Sequence, residues 1–147
     1  MSIWWSLHLR REAASVPLAR RLLLGTMETA GVDPDISFDL SVALSEACAN
    51  AVEHGGSGGI ADETEAYHVT AYLDGDRCRI EVTDSGPGFP PPAETRHRPS
   101  LAEHGRGMHL IEELADHVRF RNRPGRGAVV TFDKMLKWRD DALLKVS

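Results

Sequence analysis

The chain has 147 residues, of which 41% are hydrophobic and 27% charged, with a formal net charge of −5. This is the size of one ordinary domain with a single core, and the acidic balance argues against broad nucleic-acid binding, which needs a basic face. No apolar run approaches the roughly 20 residues that cross a bilayer. The start, Met1-Ser2-Ile3-Trp4-Trp5, lacks the basic and apolar parts of a signal peptide, so a cytoplasmic protein without membrane contact is expected.

Ile3 to Leu9 alternates Ile3, Trp5, Leu7 and Leu9 with Trp4, Ser6 and His8, the period of a strand. Ser15 and Pro17 open a helix in which Leu18, Leu22, Leu23 and Met27 recur at helical spacing and which Gly31 can close. Pro34 and Asp35 start a second helix, from about Ile36 to His54, ended by the glycines of 55–59. Tyr67 to Leu73 and Cys78 to Thr83 read as two strands around Asp74-Gly75-Asp76. The Gly/Pro-rich stretch 84–100 is too irregular for regular structure. A third helix begins near Gly107 and carries Leu110, Ile111, Leu114 and Ala115. Val118 to Arg121 and Ala128 to Phe132 form a last hairpin, and the tail from Met135 can add a short helix. With no repeat and no linker, residues 1–147 form a single domain. The expected class is α+β, a two-layer sandwich with helices on one face of a mixed, mostly antiparallel sheet.

Three motifs carry chemistry. In Glu46-x-x-x-Asn50-x-x-x-His54 the spacing of four lines up a carboxylate, an amide and an imidazole along one helix face, beside the apolar stripe Leu40, Leu44, Ala47, Ala51. A solvated polar face has the same pattern, although Asn in mid-helix is unhelpful to stability. Asp84-Ser-Gly86-Pro-Gly88-Phe89 follows a strand. Its glycines let a ligand approach the backbone closely, and its carboxylate can accept a hydrogen bond from an exocyclic amine such as adenine N6. An ordinary Asp/Gly/Pro turn reads the same way. Gly105-Arg106-Gly107-Met108 stands at the start of a helix, where exposed N–H groups attract phosphate and Arg106 adds a charge-assisted contact. It is neither a Rossmann fingerprint nor a P-loop, because no parallel βαβ unit and no Gly-Lys-Ser/Thr follow.

The order and spacing of these motifs resemble the Bergerat ATP-binding superfamily. Glu46-x-x-x-Asn50 resembles its N box, Asp84-x-Gly86-x-Gly88 its first glycine box, and Gly105-x-Gly107 its second. Thr131 is similar to its late threonine near adenine. A free-standing domain of this length, with a short lid and His54 after Asn50, most resembles the anti-sigma factor serine kinases. Such proteins hold a sigma factor inactive, release it to bind a dephosphorylated anti-anti-sigma protein of the STAS type, and phosphorylate that antagonist. The resemblance implies ATP and Mg2+ as cofactors, with Asn50 on the metal and Glu46 orienting or deprotonating the attacking hydroxyl. It implies Asp84 on adenine with Thr131 assisting, Gly86, Gly88 and Phe89 beside the nucleotide, and Gly105, Arg106, Gly107 and Met108 by the phosphates. Residues 90–104 become the ATP lid, and a homodimer through the N-terminal strand is expected.

One departure matters. Some kinases of this branch have a lid arginine just before the second glycine box, where this chain has Glu103-His104. The alternative is therefore a non-catalytic module whose nucleotide state tunes partner binding. A third reading is a histidine-kinase catalytic domain acting on a separate phosphotransfer protein. Cys48 and Cys78 are far apart, and His97, His104, His109 and His117 show no clear zinc spacing, so reduced, partly buried thiols and no transition-metal site are expected. Arg10, Arg11, Arg20 and Arg21 form either a solvated helix face or a docking surface for an acidic partner.

Overall fold

The fold was analysed in a computed structural model, which describes residues 2–54, 66–85, 109–122 and 127–140. The elements run β1 (Ser2–Arg10), α1 (Ser15–Ala30), α2 (Pro34–His54), β2 (Ala66–Asp74), β3 (Arg77–Thr83), β4 (His117–Asn122) and β5 (Ala128–Met135), with residues 109–114 helical ahead of β4. The strands form one sheet in the order β1-β2-β3-β5-β4. Every pairing in it is antiparallel, in keeping with the expected two-layer α+β sandwich on a mostly antiparallel sheet. The reason is topological. β3 and β4 run in the same direction, but β5 inserts between them and pairs antiparallel to both.

Strand alternation decides which residues meet the helices. Tyr67, Val69, Ala71 and Leu73 of β2, Cys78, Ile80 and Val82 of β3, and Val130 and Phe132 of β5 are buried in one cluster. From the other layer Leu23 and Met27 of α1, Leu40 and Leu44 of α2, and Ile111 enter the same cluster. Each such aliphatic side chain contributes roughly 1.5–3 kcal/mol by leaving water. Among the described residues, no helix is long and apolar enough to cross a membrane.

Ser15 begins α1 but does not cap it. The cap is Ala14, with no side-chain hydrogen bond. Instead Ser15 is buried and its hydroxyl donates to the Glu12 carbonyl (2.6 Å), leaving its oxygen to accept from the Tyr67 hydroxyl (2.6 Å). Burial pushes the Tyr67 phenol well above its ordinary range, against the hydrogen bond to Ser15. Both cysteines are free and fully buried, and burial pushes each thiol up to about 12. They stay protonated near neutral pH and act as small apolar side chains.

Two clasps orient the helices. Gly31 ends α1 in the left-handed region (φ 91°), donating to the Met27 and Glu28 carbonyls. At the far end of α2, Arg11 reaches from just past β1 and donates to the carbonyls of Ala51 (3.2 Å) and Val52 (2.6 Å). These are last-turn carbonyls without partners inside the helix, and a cation there also meets the negative end of the helix dipole. Residues 136–140, after β5, are not helical, and the rest of the tail, 141–147, lies outside the described residues. Trp138 bridges to Val32, and the Asp33 N–H donates to the Lys137 carbonyl (2.7 Å), tying this segment to the α1–α2 turn.

Arg11→Ala should lower the free energy of unfolding by about 1–2 kcal/mol, since hydrogen bonds from a charged donor contribute on that scale. Urea denaturation measures it; an unchanged midpoint would show that the clasp contributes nothing.

Candidate functional site

The Arg11 clasp places the C-terminal end of α2 at the end of the sheet where β1 finishes. Arg10 there pairs with Ala66 at the start of β2, and His68 pairs with Thr83 at the end of β3. The last turns of α2, the end of β3 and the start of β5 thus share one end of the molecule. The two first motifs, separated by some thirty positions in the chain, meet there because the helical hairpin returns the chain to that end before β2.

Glu46 and Asn50 lie on successive turns of α2, both half-buried, beside the buried Ala47 and Ala51. The Asn50 Nδ2 is buried and has no hydrogen-bond partner among the described residues. An unmet buried donor costs roughly 1–3 kcal/mol, and it sits on the residue the N box assigns to the nucleotide. Nothing holds that nitrogen, so the amide can turn its oxygen outward to a cation instead. His54 ends the helix, exposed, with Nε2 3.6 Å from Glu53 Oε2.

Asp84 continues the parity of Ile80 and Val82, whose side chains enter the core, so it faces the helix side of the sheet. Its N–H donates to the Ala128 carbonyl (3.0 Å), and its carboxylate accepts from the Ala128 N–H (3.2 Å). This reciprocal pair holds one carboxylate oxygen against β5. Ala128, whose backbone fixes the acid, was missed in the sequence; the cue was its place directly after Gly127 at the head of β5.

Thr131 is not brought to this end and requires a correction. Val130 and Phe132 on either side of it enter the core, so Thr131 points through the opposite face. There it pairs with Glu81 across β3 and Arg119 across β4, and lines an outer groove with them. Gly86, Gly88, Phe89, Gly105, Arg106, Gly107, Met108 and the lid at 90–104 lie outside the described residues. The helix that follows the second glycine box is docked nonetheless, since Ile111 is fully buried in the core. Of the basic concentration near the N-terminus, Arg11 is turned inward as the α2 clasp, Arg10 lies 3.8 Å from Glu12, and Arg20 and Arg21 are exposed.

The profile of the histidine kinase-like ATPase domain matches residues 9–134, which run from the end of β1 into β5 and include both motif-bearing elements. The chain belongs to this family. The serine-protein kinase RsbW of Bacillus licheniformis is 34% identical over 130 residues, covering 82% of this chain and 78% of that protein. The anti-sigma F factor of Pasteuria penetrans is 32% identical over 115 residues, 74% of this chain and 75% of that protein. Among solved structures, the RsbU and RsbW domains of a Mycobacterium tuberculosis protein superpose with a TM-score of 0.66 at 25% identity. That match covers 97% of this chain and 35% of the other, so this chain spans about a third of its length. The SiaB–SiaC complex of Pseudomonas aeruginosa shares the fold, with a TM-score of 0.58 at 10% identity.

The two faces make opposite predictions. Asp84→Asn should weaken ATP binding by roughly 10- to 100-fold, the scale of one hydrogen bond to a charged group. Thr131→Val should leave it within about twofold and should not destabilise the fold, because the Thr131 Oγ1 is buried without a partner. Calorimetric titration with ATP checks both; weakened binding in the valine variant would put Thr131 back in the site.

Proposed function

We propose that this chain is an ATP- and Mg2+-dependent protein serine kinase that also acts as an anti-sigma factor. In this reading it holds a sigma factor until a STAS-type anti-anti-sigma protein displaces it, and it phosphorylates that antagonist. The observation that carries the reading is the convergence of Glu46, Asn50 and the clamped Asp84 at one end of the sheet, in a chain related to proteins named serine-protein kinase and anti-sigma factor.

Each residue then has a distinct task. Asp84, held against β5 by Ala128, would accept a hydrogen bond from the exocyclic amine of adenine. The Asn50 amide, unpartnered at Nδ2, fits a nucleotide–metal group better than a structural role would. Mg2+ held there would neutralise charge on the β- and γ-phosphates. Glu46, one turn earlier, accepts the proton of the attacking serine hydroxyl as its oxygen bonds to the γ-phosphorus and the bond to the β-phosphate oxygen breaks. The flanking glycines 86, 88, 105 and 107, with Phe89, Arg106 and Met108, would border the nucleotide, and 90–104 would close over it. His54 would complete the row of α2.

Several further assignments belong to the same reading: a single domain over 1–147, a cytoplasmic location, no direct nucleic-acid or membrane contact, and a homodimer through β1. In support of the last, β1 stands at the sheet edge, and its Trp4 is 66% exposed. The second reading, a nucleotide-tuned module without transfer, is favoured by Glu103-His104 where some kinases of this branch have a lid arginine.

Transfer from labelled ATP to serine or threonine on a panel of the host's anti-anti-sigma proteins tests the proposal. Glu46→Ala should reduce transfer by at least about 100-fold, as loss of a positioned base does, while ATP affinity stays within about twofold. A fully active variant would remove Glu46 from the chemistry; ATP binding without transfer in the parent would select the module.

A further inference from the structure

The face of the sheet that carries no helix among the described residues has its own groove, about 750 Å³, running along β5 between β3 and β4. It lies on the opposite side from Asp84 and Asn50, and nothing in the kinase reading uses it. Its side chains include four guanidiniums, Arg77, Arg79, Arg119 and Arg121, against two carboxylates, Glu81 and Asp133. In a chain of net charge −5 this is a concentrated positive surface.

The charges are not equally engaged. Asp133 is held by His117 Nδ1 (2.9 Å) and lies 3.9 Å from Arg77. Arg79 stacks over the Tyr72 ring, 5.1 Å from its centre. Arg119 and Arg121, exposed on β4, have no ion-pair partner among the described residues. They are two positions apart on one strand face, hence roughly 7 Å apart along it. On the floor between Glu81 and Arg119 lies Thr131, whose Oγ1 is buried and unpartnered. A polar atom left unmet at the bottom of a basic groove is an observation independent of the charge, and it points to a missing polar partner.

We propose that this groove binds an extended acidic segment of a partner protein. An extended chain presents alternate side chains on one side at about the same 7 Å spacing, so carboxylates at positions i and i+2 meet Arg119 and Arg121 together, with paired guanidinium contacts. The walls, β3 and β4, are two strand spacings apart, on the order of 10 Å. That suits one extended chain better than a helix, whose diameter with side chains is about 10–12 Å. Glu81 on the β3 wall repels acids from that side and assigns them to β4. A second copy of this chain stacking face to face would set these arginines against a like surface, and charge disfavours it.

The test is fluorescence anisotropy with a labelled nonapeptide alternating Glu and Thr, the same peptide with Gln for Glu, and a nine-nucleotide oligo-dT. The Glu peptide should bind at least about tenfold more tightly than the Gln peptide, and should weaken as salt rises. The double variant Arg119→Gln/Arg121→Gln should lose at least about tenfold in affinity for the Glu peptide. Its circular dichroism and ATP affinity should match the parent, so that failure here is separable from failure of the nucleotide site. Equal binding by the double variant, no binding of the Glu peptide, or tighter binding of oligo-dT would each overturn the proposal. So would a change of oligomeric state in the double variant, which would assign the face to a second copy.

Discussion

Among the described residues, helices roof only one face of the five-stranded sheet, and the period-two alternation of the strands turns that asymmetry into function. On β3 and its continuation, Ile80, Val82 and Asp84 share the roofed side, while Arg79 and Glu81 share the open one. On β5, Val130 and Phe132 are roofed and Thr131 and Asp133 open. A register slip of one residue would exchange these sets, burying the arginines and expelling Asp84 from the roofed side. The tight turn at Gly75 (φ 62°) and the reciprocal Asp84–Ala128 hydrogen bonds hold β3 in register with its two neighbours.

The roof is placed as deliberately as the strands. α1 and α2 form a hairpin whose turn is tied to the segment after β5, and whose far end is clasped by Arg11. With both ends anchored, α2 cannot slide along the sheet, and the step from Glu46 to Asn50 is fixed relative to Asp84. The buried Ser15–Tyr67 hydroxyl pair locks the start of α1 to β2 and leaves neither oxygen without a partner. Asn50 is the contrast. It is a poor helix former in the middle of a helix, with an unmet donor, and both features lower stability.

Much of this was legible in the residues. The alternation of Ile3 to Leu9, the helical spacing of Leu23 and Met27, and the turn at Asp74-Gly75-Asp76 each announce their element, because local periodicity follows from which side is buried; Leu18 and Leu22, read into the same stripe, are exposed. The family was legible in the order and spacing of three motifs, each of them weak alone. What failed was pairing information. Thr131 resembled the family's late threonine near adenine, but only the strand register shows that Val130 and Phe132 take the core and Thr131 the far side. Arg11 read as part of a basic surface, because a cap on a helix forty positions away leaves no local signature. The order of β5 between β3 and β4, which makes every pairing antiparallel, was equally hidden, as neighbours in a sheet need not be neighbours in the chain. The outer arginine groove is assembled from three strands and was invisible for the same reason.

The central claim is that nucleotide binds on the roofed face, at the end shared by α2, β3 and β5. Backbone and side-chain amide NMR of the labelled protein, titrated with a non-hydrolysable ATP analogue and Mg2+, tests it directly. The account predicts that the Asn50 side-chain amide and the Asp84 and Ala128 backbone amides shift most, while Arg119, Thr131 and Asp133 stay in place. Shifts concentrated at Thr131 and Arg119, with Asn50 and Ala128 unmoved, would place the nucleotide on the open face and contradict it.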